Sequence, residues 1–169
     1  NLIFKSTNAG ESFTIDTLNY GSTFPISGLS FINDIIGFIS SGDGKILKSI
    51  NQGNTWNLIG NTGNSVRDIV FTDTQNGYAI TGNLSNTILR STDGGVSWVA
   101  EYTATHSIEK FAYDGYSVFA VGQDGLALKK ELSPTVTTDI SKKEINLFPN
   151  PCIYKLYLTN GIKGEFECI

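Results

Sequence analysis

The sequence predicts an all-β chain built from repeated four-stranded units. Three observations carry this. An octapeptide occurs three times, as STNAGESF from Ser6 to Phe13, SINQGNTW from Ser49 to Trp56 and STDGGVSW from Ser91 to Trp98. Its spacing sets a repeat of about forty residues, the length of one four-stranded unit. The composition has 18 Gly, 10 Phe, 7 Tyr and 2 Trp but only 17% charged residues, which suits many short strands joined by tight turns. No segment keeps a helical apolar period over three turns.

Aligning the chain on the octapeptide places the elements in order. The first unit, about 1–18, begins at a third strand, Leu2-Ile3-Phe4-Lys5, and ends in a fourth after the octapeptide. The second, about 25–60, is complete. It has an apolar strand at Leu29 to Ile32, an aromatic strand after Gly37, a third strand at Ile46 to Ser49 and a fourth from Thr55. The third, about 65–103, repeats the order with Ile69 to Thr72, Gly77-Tyr78-Ala79-Ile80, Ile88 to Ser91 and a strand from Ser97. It carries an insertion near Asn83 to Asn86. The fourth, about 106–132, repeats three strands and then stops, with Leu128-Lys129 aligned on Leu47-Lys48. Four short strands per forty residues is the pattern of a propeller blade, and blades bury their faces only by stacking on neighbours.

The octapeptide itself reads as turn chemistry. Short Ser, Asp and Asn side chains accept hydrogen bonds from nearby backbone N–H groups. Gly10, Gly53 and Gly95 stand where positive φ is expected. Phe13, Trp56 and Trp98 close the motif with a ring that can cover the turn.

In this form the motif resembles the Asp-box, or BNR repeat, Ser-x-Asp-x-Gly-x-Thr/Ser-Trp. Ser91, Asp93, Gly95, Ser97 and Trp98 match throughout. The copy at Ser49, Asn51, Gly53 and Trp56 has Asn for Asp. The copy at Ser6, Asn8, Gly10 and Phe13 also has Phe for Trp. The resemblance covers residues 1 to about 132. It implies a β-propeller with the boxes at the blade periphery, marking fold and not the ligand site. The cadence from Gly77-Tyr78-Ala79 to Trp98 further resembles propellers of the photosystem II assembly-factor-like group, which act as binding platforms.

Charge and residue inventory narrow the function. The net charge is −4, with two arginines, Arg67 and Arg90. A nucleic-acid partner needs a basic face, and the sequence offers none. There is one histidine, His106, and no His/Cys cluster with zinc spacing. No metal or cofactor is expected. No apolar run reaches membrane-spanning length. Sialidases, which the Asp-box resemblance brings into view, hold the substrate carboxylate with three arginines. This chain has two, and Arg90 aligns with Lys5, Lys48 and Lys129 as a repeat-framework position. Endoglucanases of similar fold use two carboxylates, but Asp34, Asp43, Asp68, Asp73, Asp114 and Asp124 all fall in turns or beside strands, and no pair stands out. The reading leans against catalysis. The candidate ligand face is Arg67 with Asp68 and His106, near Tyr78.

After Leu132 the composition changes. Residues 133–144 read as a linker. Residues 145–169 resemble the start of the C-terminal sorting domain of type IX secretion in Bacteroidota, through Phe148-Pro149-Asn150-Pro151 and the alternating strand Lys155 to Leu158. That resemblance implies handling by the secretion machinery and an extracellular or outer-membrane surface address. Cys152 and Cys168 both lie in this tail, as a disulfide or as two free thiols. Position 1 is not methionine, so a removed leader or a longer parent chain is expected. The expected role is a secreted or surface binding and scaffold propeller for a protein or glycan. The alternative is part of a carbohydrate-active propeller, a glycoside hydrolase, with its catalytic residues in other blades. Ring closure is open between additional blades, a homodimer of two arcs, and completion of the first half-unit by strands of the fourth.

Overall fold

The computed structural model describes residues 1–82 and 86–132, with the backbone of residues 167 and 168. The expected linker, and the sorting segment with Phe148, Pro149, Asn150 and Pro151, lie outside the described residues except for that last strand.

Four antiparallel sheets account for the described chain. The first has two strands, β1 (Leu2–Lys5) and β2 (Thr14–Thr17). The second runs β3 (Ile26–Phe31), β4 (Gly37–Ser41), β5 (Lys45–Ser49) and β6 (Asn57–Asn61). The third runs β7 (Val66–Phe71), β8 (Gly77–Thr81), β9 (Thr87–Ser91) and β10 (Val99–Thr103). The fourth runs β11 (Ile108–Tyr113), β12 (Ser117–Gly122), β13 (Ala127–Glu131) and β14 (Glu167–Cys168). A 3-10 turn at Gln123–Gly125 joins β12 to β13.

Repetition extends to the irregularities. Each first strand is bulged near its start, between Ile26 and Gly28, Val66 and Asp68, and Ile108 and Lys110. Such a bulge bends and twists the strand, so the first strands can lie side by side with β7 between β3 and β11. The sheets stack face to face through apolar residues of alternating parity. Phe38, Ile46, Ile69 and Phe71 form the core between the second and third sheets. Tyr78, Ile80, Ile88, Ile108, Val118 and Leu128 belong to the core between the third and fourth. Ile3 of the first sheet packs near Leu18, Tyr20, Ile39 and Leu47.

One aromatic arrangement organises these interfaces. Phe71 stacks on Phe38 with ring centroids 3.5 Å apart and planes at 6°. Trp98 meets Phe71 edge-on at 5.9 Å and 85°. The Phe71 ring lies directly over Gly77, where a Cβ would come within 2.6 Å of it. Backbone bonds tie the sheets as well. Phe71 N–H donates to Ser30 Oγ at 2.9 Å, and Phe111 N–H to Asp68 Oδ2 at 2.8 Å.

The octapeptide hairpins share one set of bonds. The serine hydroxyl donates to the third-position oxygen, at 2.9 Å for Ser6–Asn8, 3.0 Å for Ser49–Asn51 and 2.8 Å for Ser91–Asp93. The same serine oxygen accepts the N–H of Gly10, Gly53 or Gly95 at 2.8–2.9 Å. Those glycines have φ of 91°, 76° and 93°, a region that side chains disfavour. The indole N–H of Trp56 and of Trp98 donates to the carbonyl of Gly53 and Gly95. Phe13 has no such donor and is 58% exposed.

The structure keeps the sequence alignment in the fourth unit. The ladder pairs Phe119 with Lys129, as Phe38 pairs with Lys48 and Tyr78 with Arg90, and Lys129 lies over the Phe119 ring as Lys48 lies over Phe38. Lys130 pairs with Val118 as Ser49 and Ser91 pair with Gly37 and Gly77, so it stands in the position of the first serine of the octapeptide, and it is buried. The departure is at the end of the unit, where a further strand, β14, pairs with Leu128 and Lys129. The first sheet keeps two strands among the described residues and does not join β11–β13.

Candidate binding groove between the third and fourth sheets

The Phe38–Phe71–Trp98 arrangement fails one interface further on, and a groove opens there. Tyr78 takes the place of Phe38 and Tyr113 that of Phe71. The glycine of Gly37 and Gly77, however, is replaced by Val118, which pairs with Tyr113 as Gly77 pairs with Phe71. A Cβ at the glycine position meets the overlying ring at 2.6–2.7 Å in the second and third sheets, well inside van der Waals contact. With Val118 paired to it in that position, Tyr113 lies 38% exposed, its hydroxyl donating to the Gly115 carbonyl at 3.0 Å. The fourth unit also lacks the octapeptide and so its tryptophan. A groove of about 570 Å³ results, lined by the 72–76 turn, Tyr78, Arg90, the 113–116 turn and residues 130–132.

Its charges are held in place from beneath. Lys130 is 5% exposed. Its ammonium pairs with the Glu101 carboxylate and lies 5.4 Å from the centroid of the Tyr78 ring. Burial, with the Glu101 charge, pushes the Tyr78 phenol up to about 12, so Tyr78 is a neutral hydroxyl at physiological pH. Arg90 Nη2 donates to Asn76 Oδ1 at 3.4 Å, while its buried Nε makes no hydrogen bond. Asp73 accepts the amides of Gln75 and Asn76 at 2.7 Å. Burial raises its pKa, but those bonds outweigh it and lower the value overall. Asp73 is thus committed to its turn and is no free base. Tyr116, 75% exposed, stands at the rim. Aromatic faces, a guanidinium and an ammonium in one groove can hold an extended ligand carrying a carboxylate and an apolar side chain.

The residues singled out in the sequence fall elsewhere. Arg67 Nη1 bonds Ser107 Oγ at 2.6 Å and the Ile108 carbonyl at 3.2 Å, and pairs with Glu109 at 2.6 Å. Asp68 holds the Phe111 amide and lies 3.6 Å from Lys110 Nζ. Both tie β7 to β11. His106 is half-exposed on the β10–β11 loop, with Thr105 Oγ1 at 2.9 Å and Asp124 at 3.8 Å. Tyr78 pairs with Val70 and Arg67 neighbours Val66, the partner of Thr81, so the two lie toward opposite ends of the β7–β8 ladder. The structure does not gather these residues into one face. The octapeptide side chains are consumed in their hairpins. Arg90, Lys130, Tyr113 and Tyr116 line the groove; Arg90 reads in the sequence as a framework position, and Lys130 stands where the other units have the first serine of the octapeptide. The legible signal is Val118 in a glycine position, together with the missing fourth octapeptide.

No protein-family model matches this chain, and no curated protein sequence does. Solved structures do. The structure described as "YCF48 bound to D1 peptide" superposes with a TM-score of 0.61 at 20% identity, over 79% of this chain and 46% of that one. YCF48 from Cyanidioschyzon merolae gives 0.60 at 19% identity, over 76% of this chain and 44% of that one. The chain therefore spans less than half the length of these neighbours. With stacked four-stranded antiparallel sheets and these neighbours, the fold is that of a β-propeller segment.

Proposed function

We propose that this chain is a non-catalytic binding propeller that holds an extended polypeptide segment in the groove between its third and fourth sheets. One observation carries the reading: Tyr78, Tyr113 and Tyr116 converge with Arg90 and Lys130 on an open volume of about 570 Å³, at an interface where the aromatic packing between the second and third sheets is not repeated. The neighbouring YCF48 structure with a bound peptide supports a polypeptide over other ligands. In this reading the octapeptides are Asp-boxes that maintain the blades. The secreted or cell-surface address belongs to the same proposal and rests on Phe148-Pro149-Asn150-Pro151 alone.

The test is an array of twelve-residue peptides, half of them with acidic residues or free C-termini, run beside a glycan array. Peptides with a carboxylate should bind, with chemical-shift changes at Tyr116 and the Arg90 side chain. Arg90→Ala should weaken binding by about tenfold or more, as for an anchoring interface arginine. Hits confined to the glycan array and mapped to the tyrosines would replace this reading with a carbohydrate one. Peptide binding unmoved by Arg90→Ala would remove the groove from it.

A further inference from the structure

The fourth sheet takes its outer strand from a distant part of the chain. In the second and third sheets that strand, β6 or β10, follows the third strand directly through the octapeptide hairpin. In the fourth sheet the place is held by β14, Glu167–Cys168. Leu132 N–H donates to the Tyr116 carbonyl on the β12 side. Hydrogen-bonding direction alternates along a strand, so the N–H of Lys129 faces β14, where Lys129 pairs with Glu167.

The register of β14 repeats that of the other outer strands. Lys129 pairs with Glu167 as Lys48 pairs with Asn57 and Arg90 with Val99. In those two units the residue just before the outer strand is the aromatic that ends the octapeptide: Trp56 precedes Asn57 and Trp98 precedes Val99. Phe13 likewise precedes β2. The residue before Glu167 is Phe166. Directly opposed residues share one face of a sheet. In the third sheet, Phe71, Gly77 and Ser91 pair across one such row, and Trp98, one step beyond the Arg90–Val99 pair, meets the Phe71 ring edge-on. In the fourth sheet the row is Tyr113, Val118 and Lys130, and Tyr113 and Lys130 line the groove.

We propose that the pairing of β14 runs one residue further and sets Phe166 opposite Lys130, so that the chain supplies its own missing aromatic to the fourth sheet and fills the groove beside Tyr113. The tail is then an intramolecular competitor of the groove's ligand. It adds a strand to the free edge of β13, and so short a ladder opens readily to an incoming strand. The competition rests on the groove being the binding site proposed above; the docking of the tail does not.

Hydrogen exchange and peptide binding on the full chain test this. The Lys129 amide should exchange at least tenfold more slowly than a free amide, and Glu167→Pro, which removes a strand N–H, should restore fast exchange there. In a background of Cys152→Ser and Cys168→Ser, Lys129→Cys with Glu167→Cys should oxidise to a disulfide within one chain. Phe166→Ala should move the Tyr113 ring resonances and leave those of Trp98 in place. A twelve-residue peptide with a free C-terminus that binds the groove should bind Phe166→Ala at least tenfold more tightly than the parent, and Phe166→Trp no more tightly. The proposal is overturned by fast exchange at Lys129 in the parent chain, by a disulfide that links two chains, by Tyr113 resonances unmoved in Phe166→Ala, or by equal peptide affinity in the parent and Phe166→Ala. If no peptide binds either protein, the groove reading fails on its own, and the Lys129 and Tyr113 results still decide whether the tail docks with Phe166 beside Tyr113.

Discussion

Replacing Gly77 by alanine tests the packing logic that both the core and the groove depend on. A Cβ at Gly77 would stand 2.6, 2.7 and 2.8 Å from three carbons of the Phe71 ring. Ordinary contact begins near 3.4 Å, so the ring must move by most of an ångström. It has nowhere to go: Phe38 stacks at 3.5 Å on one side and Trp98 meets its edge. Overpacking of this kind costs about 1–3 kcal/mol, and confinement on two sides puts Gly77→Ala at the upper end, about 3 kcal/mol. For a chain of this size that lowers Tm by roughly 6–12 °C. Gly37→Ala is the matched control. Its Cβ meets Phe31 at 2.7 Å, yet Phe31 is 45% exposed and free to swing outward, so the cost should stay below about 1 kcal/mol. Urea titration followed by tryptophan fluorescence measures both. Equal losses in the two variants would refute ring confinement as the cause, and a loss under about 0.5 kcal/mol for Gly77→Ala would refute the packing itself.

Other expectations follow from single interactions. Asp93 accepts the hydroxyl and amide of Ser97, the hydroxyl of Ser91 and the amide of Val96, which hold its carboxyl down at about 2 from an ordinary 3.8. A depressed carboxyl stabilises the fold above its unfolded value, and that support is lost as pH falls from about 4 to 2. Amide shifts of Ser97 should titrate in that window, and Asp93→Asn should abolish the titration while keeping the turn that Asn51 keeps in the second octapeptide. Lys130→Ala leaves the partly buried Glu101 without its cation and should cost about 3 kcal/mol in urea unfolding. Asp68→Ala removes the acceptor of the Phe111 amide and should cost about 2 kcal/mol, with exchange at Phe111 accelerated. Val118→Gly removes the side chain that stands in the glycine position against Tyr113, so the ring should fold back. Tyrosine accessibility should then fall, and peptide binding in the groove with it.

How much was legible can be followed residue by residue. The octapeptide announced its own hairpin because its bonds are local: Ser91, Asp93, Gly95 and Trp98 lie within eight residues and satisfy one another. The strands were legible for the same reason, since alternation and turn residues act over a few positions. The third strand of the fourth unit was legible as well: Leu128-Lys129 repeats Leu47-Lys48, and Phe119 pairs with Lys129 as Phe38 pairs with Lys48. Arg67 and Asp68 looked like a ligand pair, yet their partners, Ser107 to Phe111, are some forty residues away and become neighbours only when β7 meets β11. Arg90 looked like framework, yet at the third interface the ring that should cover it is displaced.

By itself, then, the sequence determined the repeat, the antiparallel four-stranded sheets and the turns between them, all of which rest on contacts within one unit of about forty residues. Only the tertiary structure decided which side chains are consumed between sheets and which are left to meet a partner. That choice depends on pairs such as Phe38 with Phe71, and Val118 against Tyr113, where one side chain settles whether an interface closes or opens.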